Sequence, residues 1–314
     1  MYAFILKRFL QMIVVLLLVS IAVYSLILMI PGDVTTAILG LNATEADTLA
    51  LKEKLGLDRP FYVQYLKWLW NVLHGDFGRS MMTGFPVATL FAQSLPVTIQ
   101  LTLLGMLLSI ALGVPAGIVA ARKQNSAVDM LLRAFSTFGM AMPNFWLGIL
   151  LMLVFCLWLR WLPTSGMVSI TESFWGWLRG MILPTVTISA RFVAVVVRQT
   201  RSALLEVMKS DYIRTARAKG LSEIRVTGSH ALRNALIPVV TVIGLQTGRL
   251  FGGAVITETI FGLPGMGSLI ATAVGQRDFI VVQGGVMVTA AAVLGISLVV
   301  DILYAVLDPR IRYR

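Results

Sequence analysis

Several long, uninterrupted apolar runs are the feature that most constrains how this chain can fold. The first, residues 9–30, is as long as the roughly 20 residues that an α-helix needs to cross a bilayer. It follows Lys7 and Arg8, is longer than the apolar core of a signal peptide, and ends at Pro31, so it predicts an uncleaved spanning helix. The chain is 57% hydrophobic and only 13% charged, about half the charged share of soluble domains. We therefore predict an integral membrane protein.

Six predicted spans follow from the positions of these runs. Beyond the first, they cover residues 97–121, 130–159, 181–205, 235–257 and 280–303. The third contains Pro143, which a membrane helix tolerates only where neighbouring groups satisfy the freed carbonyl. Residues 261–279 are predicted to form a loop or a re-entrant segment. The sequence thus predicts an all-α, polytopic membrane protein with six transmembrane helices.

The distribution of basic residues predicts the orientation in the membrane. With the N-terminus inside, the inner segments contain most of the Lys and Arg residues, whereas the outer segments are close to neutral. Because basic residues are enriched in cytoplasmic loops, both termini and the polar stretch at residues 206–234 are predicted to be cytoplasmic. We attribute the net charge of +11 to residues that set the orientation in the membrane and contact membrane lipid. No nucleic-acid partner is predicted.

Four segments organise the chain in this interpretation. They are an N-terminal transmembrane helix at 1–30, an outer insertion at 31–95, a five-helix core at 96–305 that includes the loop 206–234, and a cytoplasmic tail at 306–314. The outer insertion mixes aromatic and charged residues. We predict an interfacial helix over residues 61–73 that helps build an outer gate, although this composition equally suits a docking site for a soluble partner.

The cytoplasmic loop contains the sequence "DYIRTARAKG" from Asp211. Ser210 and Asp211 are suitable helix N-caps, and Gly220 is a suitable residue for ending the helix. A second short helix is predicted from Ser222 to about Leu232. One interpretation is that the basic residues only set the topology. The other is that the two helices dock into a groove of a soluble partner.

This loop resembles the coupling loop of permease subunits of ATP-binding-cassette importers. That motif reads Glu-Ala-Ala, three residues, Gly, nine residues, Ile-x-Leu-Pro. Aligned on Gly220, the glycine, one alanine and the leucine match, whereas the acidic residue and the proline do not. The resemblance implies that the ATPase-coupling residues are Arg214, Thr215, Ala216, Arg217, Gly220, Leu221, His230, Leu232 and Arg233.

The resemblance to the dipeptide, oligopeptide and nickel branch of these permeases extends over nearly the whole chain. It rests on "PGD" from Pro31, "LGLDRPFYVQYLKW" from Leu55, "GDFGRS" from Gly75, "ETIFGLPGMG" from Glu258, "RDF" from Arg277, "VQG" from Val282 and "VDILYAVLDPRIRY" from Val300. The insertion after the first span resembles that of the first of the two permeases usual in this branch.

The resemblance implies a type I importer fold in the bacterial inner membrane and a set of partners. A second homologous permease would form the pathway as a heterodimer, two cytoplasmic ATPase subunits would bind the coupling loops, and an outer binding protein would deliver the solute. The solute stays open among peptides, glutathione-like peptides, nickel chelates and sugars.

No enzymatic or cofactor site is predicted on this chain. The phosphate-cradling motif needs a Gly-Lys pair, which the sequence lacks, so ATP and Mg are expected on the partner ATPases. Cys156, His74 and His230 have no ligand-spaced neighbours, and no metal site is predicted. A secondary transporter or channel subunit is the alternative, but the sequence shows no internal repeat and no mid-span acid. Asp301, near the inner end of the sixth span, is expected to pair with a nearby Arg.

Two arginines, Arg191 and Arg249, fall in the middle of predicted spans. Such a residue costs at least about 2.5 kcal/mol in the centre of a bilayer, so each is expected to face a water-filled cavity or an acidic partner. A structural ion pair or snorkelling is one interpretation. The other is that both line the translocation pathway and favour an anionic group of the solute.

Overall fold

The structure, a computed structural model, describes residues 2–29, residue 44 and residues 59–307. Within them we number ten helical elements. They are α1 (Tyr2–Met29), α2 (Phe61–Leu73), α3 (Val87–Arg122), α4 (Ala127–Ala141), α5 (Asn144–Met152 with the π-helical turn Leu153–Trp158), α6 (Phe174–Met208), α7 (Asp211–Ala218), α8 (Glu223–Arg225, the π-helical turn Val226–Ala231 and Leu232–Phe261), α9 (Met266–Gln276) and α10 (Phe279–Leu307).

The all-α, polytopic architecture is confirmed. Five helices, α1, α3, α6, α8 and α10, contain a stretch long and apolar enough to cross a membrane, and the pair α4–α5 makes a sixth span if it is counted as one. This pair is not the single helix that the third apolar run predicted, because the two parts meet at 102°. Met142 is extended, as a residue before proline prefers to be, and Pro143 then precedes the first turn of α5. Pro143 therefore breaks the helix.

Several spans are longer than their apolar runs predicted. The helix α3 begins at Val87 and contains Pro96, so the predicted segment boundary between residues 95 and 96 falls inside a helix. The helix α6 begins at Phe174 and α8 runs on to Phe261. Hydropathy marks the part of a helix that lies in lipid, whereas hydrogen bonding continues the helix into polar sequence.

The outer helix α2 covers Phe61–Leu73, the range that the sequence predicted. It lies against α1, where the hydroxyls of Tyr65 and Ser20 are 2.7 Å apart and the ring of Tyr24 contacts those of Phe61 and Trp68. Apart from residue 44, the stretch 30–58 lies outside the described residues, as does the tail from residue 308.

The first and last spans are joined by an ion pair near their cytoplasmic ends. Arg8 Nη1 lies 3.3 Å from Asp301 Oδ2. This contact confirms the expected pairing of Asp301 with a nearby arginine. It attaches α1, which packs mainly on α10, to the rest of the bundle.

A seam of small residues brings α3 and α6 together at the centre of the fold. Gly105, Ser109, Gly113 and Gly117 recur every four residues and so lie on one face of α3. A Cβ atom at Gly117 would lie 2.5 Å from Thr200 Cβ and 2.8 Å from a backbone carbonyl oxygen of α6. Membrane helices associate through such close packing, because the hydrophobic effect does not drive helices together within lipid.

We expect Gly117→Ala to destabilise the protein by about 1–3 kcal/mol, because the added methyl group overpacks the α3–α6 seam. Gly253→Ala in α8 is the matched control, since a Cβ there meets nothing within 4 Å. Thermal unfolding can be followed by the reaction of buried Cys156 with a thiol-reactive dye. Equal melting temperatures for the two variants would contradict the importance of the seam.

Candidate functional site

The short helix α7 lies across the inner ends of α6 and α8, where the sequence predicted a cytoplasmic helix. Ile213 and Ala216, three residues apart, are buried and pack against Val226, Ala231 and Ala235 at the start of α8. The opposite face of α7 is exposed and includes the predicted coupling residues Arg214, Thr215 and Arg217. The buried face thus fixes α7 to the spans and leaves its polar face free.

The turn after α7 has the geometry that the sequence predicted for Gly220. Its φ is +76°, in the left-handed region that favours glycine. The N–H of Gly220 donates to the carbonyl of Arg217 (2.9 Å), and the N–H of Leu221 donates to that of Ala216 (3.4 Å). These bonds satisfy carbonyls at the C-terminal end of α7. No atom lies within 4 Å of a Cβ built on Gly220, so the turn is open to a partner.

The predicted second short helix, from Ser222 to about Leu232, is wrong in its end point. Helix begins at Glu223 and continues through the π-helical turn Val226–Ala231 into the fifth span without a break. No proline interrupts this stretch before Pro238, and Gly228 is held inside the π-helical turn. The predicted coupling residues His230, Leu232 and Arg233 therefore lie at the start of α8.

Side-chain contacts hold α7 and the start of α8 together. Arg217 Nε donates to Glu223 Oε1 (2.7 Å) across the Gly220 turn, and Asn234 Nδ2 donates to the hydroxyl of Tyr212 (2.8 Å). Arg214 pairs with Asp211 on α7. Exposed cations on the same loop are Lys219, Arg225 and Arg233. The result is a fixed, strongly basic cytoplasmic surface.

A buried ion pair lies near this loop, between the start of α4 and the inner end of α6. Asp129 is fully buried and accepts two hydrogen bonds from Arg201, at 2.6 and 2.8 Å. It also accepts from the N–H of Asn125 at 3.0 Å, and Arg133 lies 3.5 Å away. Sequence reasoning missed this pair, although an Asp three residues after the helix-capping Ser126 is a recognisable signal.

A second buried carboxylate lies at the outer end of the fold. Glu258 of α8 is fully buried, accepts from Thr98 Oγ1 (2.6 Å) on α3, and accepts from the N–H of Ser268 (3.0 Å) in the first turn of α9. The N–H of Met266 donates to Thr98 Oγ1 (2.8 Å). The string "ETIFGLPGMG" thus contains an acid, a turn and the first two residues of the helix that the acid caps. In the sequence alone this string indicates only a family resemblance, and the cap is not apparent.

A third carboxylate attaches the outer segment before α3 to the start of α10. Asp278 is buried, accepts from Ser80 Oγ (2.5 Å) and accepts from the N–H of Val281 (3.4 Å). It therefore links the strings "GDFGRS" and "RDF", which lie about 200 residues apart in the sequence. Only tertiary structure reveals this contact.

The two mid-span arginines lie apart from the loop, each on an exposed position of its helix. Arg191 is on α6 and Arg249 is on α8. Arg249 Nη1 donates to Gln246 Oε1 (3.1 Å). Neither guanidinium forms an ion pair with any carboxylate in the part of the chain that the structure describes. The structural ion pair considered from the sequence is thus absent there.

Comparison with known families gives two matches that together cover nearly the whole chain. Residues 113–313 match the model of the binding-protein-dependent transport system inner membrane component, and residues 1–102 match the N-terminal model of the same kind of membrane component. The first match contains α7, the Gly220 turn and both mid-span arginines. The second contains α1, α2 and the outer segment.

Similar curated proteins match over their full length. A putative peptide transport system permease protein of Brucella suis is 43% identical over 313 residues, covering 100% of both chains. The dipeptide transport system permease protein of Escherichia coli K12 is 40% identical over 338 aligned positions, again covering 100% of both. Among solved structures, an inward-facing form of the MetNI methionine ABC transporter matches 70% of this chain and 96% of that chain, with a TM-score of 0.55 and 15% identity. The structural match supports the fold alone.

We expect Asp129→Asn to destabilise the protein by about 2 kcal/mol, because it leaves the largely buried Arg201 without its counter-charge. Asp211→Asn is the matched control. It breaks an ion pair in which both side chains are more than three-quarters exposed, so its effect should stay below about 0.5 kcal/mol. Dye labelling of Cys156 during heating measures the melting temperatures of both variants. A melting temperature for Asp129→Asn equal to that of Asp211→Asn would contradict this role.

Proposed function

This chain belongs to the family of binding-protein-dependent transport system inner membrane components, and we propose that α7 and the basic loop around it are the part that its ATPase partners drive. The chain is a multi-pass permease subunit of an ATP-binding-cassette importer in the bacterial inner membrane. It imports peptides or a related small solute delivered by a binding protein. ATP is hydrolysed by partner subunits, with which the chain assembles in one transporter complex.

The observation that carries the proposal for α7 is that one face of this helix is buried against the spans while the other face is exposed. An isolated helix of 8 residues is not stable in water, so α7 depends on Ile213 and Ala216 being buried against the spans. A force on its exposed face is consequently transmitted to α6 and α8 and is not absorbed by a flexible loop. The ion pair between Arg217 and Glu223 stiffens the same connection.

The finer composition of the complex is also proposed. A second, homologous permease forms the pathway with this chain as a heterodimer, and each permease presents its loop to one of two ATPase subunits, which bind ATP and Mg. The coupling contacts on this chain come from Arg214, Thr215, Arg217, His230 and Arg233, which are exposed, and the turn at Gly220 sets their spacing. Ala216 and Leu221 act from beneath, as packing residues, and Leu232 is half-buried.

The mechanism follows from this linkage. When the two ATPases close on ATP, they draw the two α7 helices together, and the inner ends of α6 and α8 move with them. The pathway then changes between inward and outward access. The outer helix α2 contributes to the outer gate, because its aromatic contacts with Tyr24 attach it to α1.

We expect Gly220→Val to uncouple ATP hydrolysis from uptake. At positive φ the backbone of a β-branched residue is strained by about 1–2 kcal/mol or more. Gly220→Asn should retain most of the uptake, since asparagine tolerates this conformation. Gly228→Val is the matched control, because Gly228 lies nearby in the π-helical turn of α8, with equal space around it and without positive φ.

The measurement is ATP hydrolysis and peptide uptake in the same proteoliposomes, with both permeases, the ATPases and the binding protein present. Wild-type uptake by Gly220→Val would rule out the proposed role of the turn. Uncoupling by both valine variants would show that bulk in the loop, and not backbone conformation, is responsible.

A further inference from the structure

Arg191 and Arg249 lie at the depth where a cation is most costly in a membrane. Arg191 is the midpoint of α6, about 26 Å from either end at 1.5 Å per residue. Arg249 is about 18 Å from the outer end of α8. Neither is close enough to a helix end for its side chain to reach a membrane surface easily. Each therefore needs water or an anion at mid-membrane depth.

The two arginines are at the same level, across the seam between α6 and α8. Phe192, the neighbour of Arg191, lines one small cavity with Leu250, the neighbour of Arg249, with Gln246 one turn earlier on α8, and with residues of α3. The cavity is about 10 Å³ in volume, roughly the space of a single water molecule. Two residues next to the arginines thus meet at one point between the helices.

Both arginines also lie on the same side of this seam, away from α3. On α6, Val196 and Thr200 face the glycines of α3, and Arg191 lies well over 100° round the helix from both of them. On α8, Thr247 bonds to Met106 of α3, and Arg249 lies about 160° round from Thr247. Since α6 and α8 pack side by side, the two exposed guanidinium groups lie on the same open face of this helix pair, and the surface between them is here called the groove.

The groove has cations and an amide but no anion of its own. Gln246 Oε1 accepts from Arg249, which fixes that side chain at the groove. The described acids of the neighbouring spans are already engaged, because Glu258 is bonded to Thr98 and Asp301 is paired with Arg8. The positive charge of the groove is therefore not neutralised by the described part of this chain.

We propose that Arg191 and Arg249, with Gln246 hydrogen-bonded to Arg249, form a binding site for carboxylate groups of the translocated solute. This inference rests on the importer function proposed above, in which the second permease covers the groove and encloses it as an aqueous pathway. Guanidinium groups bind carboxylates through paired, charge-assisted hydrogen bonds. A metal cation would be repelled, and a lipid phosphate lies too far away, at the membrane surface. A peptide with two carboxylates can engage both arginines at once.

The first test measures water access and local charge without depending on any solute. Cys156 is the only cysteine and is buried, so Arg191→Cys can be labelled selectively in membranes containing the assembled transporter. Two methanethiosulfonate reagents are compared, one with a sulfonate and one with a trimethylammonium group. We expect faster labelling by the anionic reagent, and a fall of about threefold in the rate ratio when Arg249→Gln is added, as for removal of one nearby unit charge.

Ser202→Cys is the matched control for this measurement. Ser202 is exposed on the same face of α6, about 16 Å nearer the cytoplasm, so its rate ratio should not respond to Arg249→Gln. Failure of both reagents to label Arg191→Cys would place the residue in lipid and overturn the inference. A rate ratio that is unaffected by Arg249→Gln would overturn it as well.

The second test measures uptake of alanyl-glutamate and alanyl-alanine at concentrations that saturate the binding protein. Arg191→Gln and Arg249→Gln should each lower alanyl-glutamate uptake about tenfold more than alanyl-alanine uptake, as expected for loss of one charged hydrogen bond. Arg191→Lys should restore much of the preference. Arg198→Gln, on the same face of α6 but nearer the cytoplasm, should leave the ratio of the two peptides unchanged.

The two tests separate the inference from the proposed function. Equal loss of both peptides in the glutamine variants would overturn the carboxylate site and leave the importer function intact. If the wild-type transporter imports neither peptide, the peptide importer function fails, and the labelling ratio alone decides whether the groove attracts anions.

Discussion

The buried carboxylate of Glu258 joins three helices at the outer end of the fold. The first N–H groups of any helix lack partners within the helix, and those of α9 are buried against α3 and α8. Inside a membrane protein no bulk water can satisfy them. Glu258 and Thr98 do so. A Cβ atom on Gly265 would lie 2.2 Å from the carboxylate, so this position requires glycine for close approach.

A similar arrangement at the inner end completes a rigid centre. Asp129 and Arg201 join α4 to α6 there, while the seam around Gly117 holds α3 against α6 over several turns between the two ends. Helices that are joined to a neighbour at one end and packed closely along their middle turns do not bend easily. Movement imposed on α7 is therefore expected to displace α3, α6 and α8 together, as a rigid body. The helices α1, α2 and α10 are joined to this body by fewer contacts and can follow it.

The parts of this fold that the sequence predicted are those that depend on local chemistry. The apolar runs located the spans, the bounds of α2 were correct, and Gly220 ended α7 because a left-handed residue there favours glycine. The break at Pro143 and the continuous helix through Gly228 were not predicted. Local sequence tolerates either outcome at both positions, and neighbouring helices decide between them. The contacts of Asp278 with Ser80 and of Glu258 with Thr98 join distant segments, so no local pattern could reveal them.

The charges within the described spans differ in how they are satisfied. The acidic side chains at Glu258, Asp129 and Asp301 all have partners within the chain, whereas Arg191 and Arg249 lack an acidic partner among the described residues. A chain that folded only for its own stability would have no reason to leave two guanidinium groups at mid-membrane depth, since each is costly there. Their compensation has to come from outside these residues, from water, another subunit or the solute. The groove between α6 and α8 is also directly connected to α7, so a displacement of α7 would move both arginines relative to the second permease that is proposed to cover the groove. Solute affinity and access would then change in the same movement, which is what vectorial transport requires.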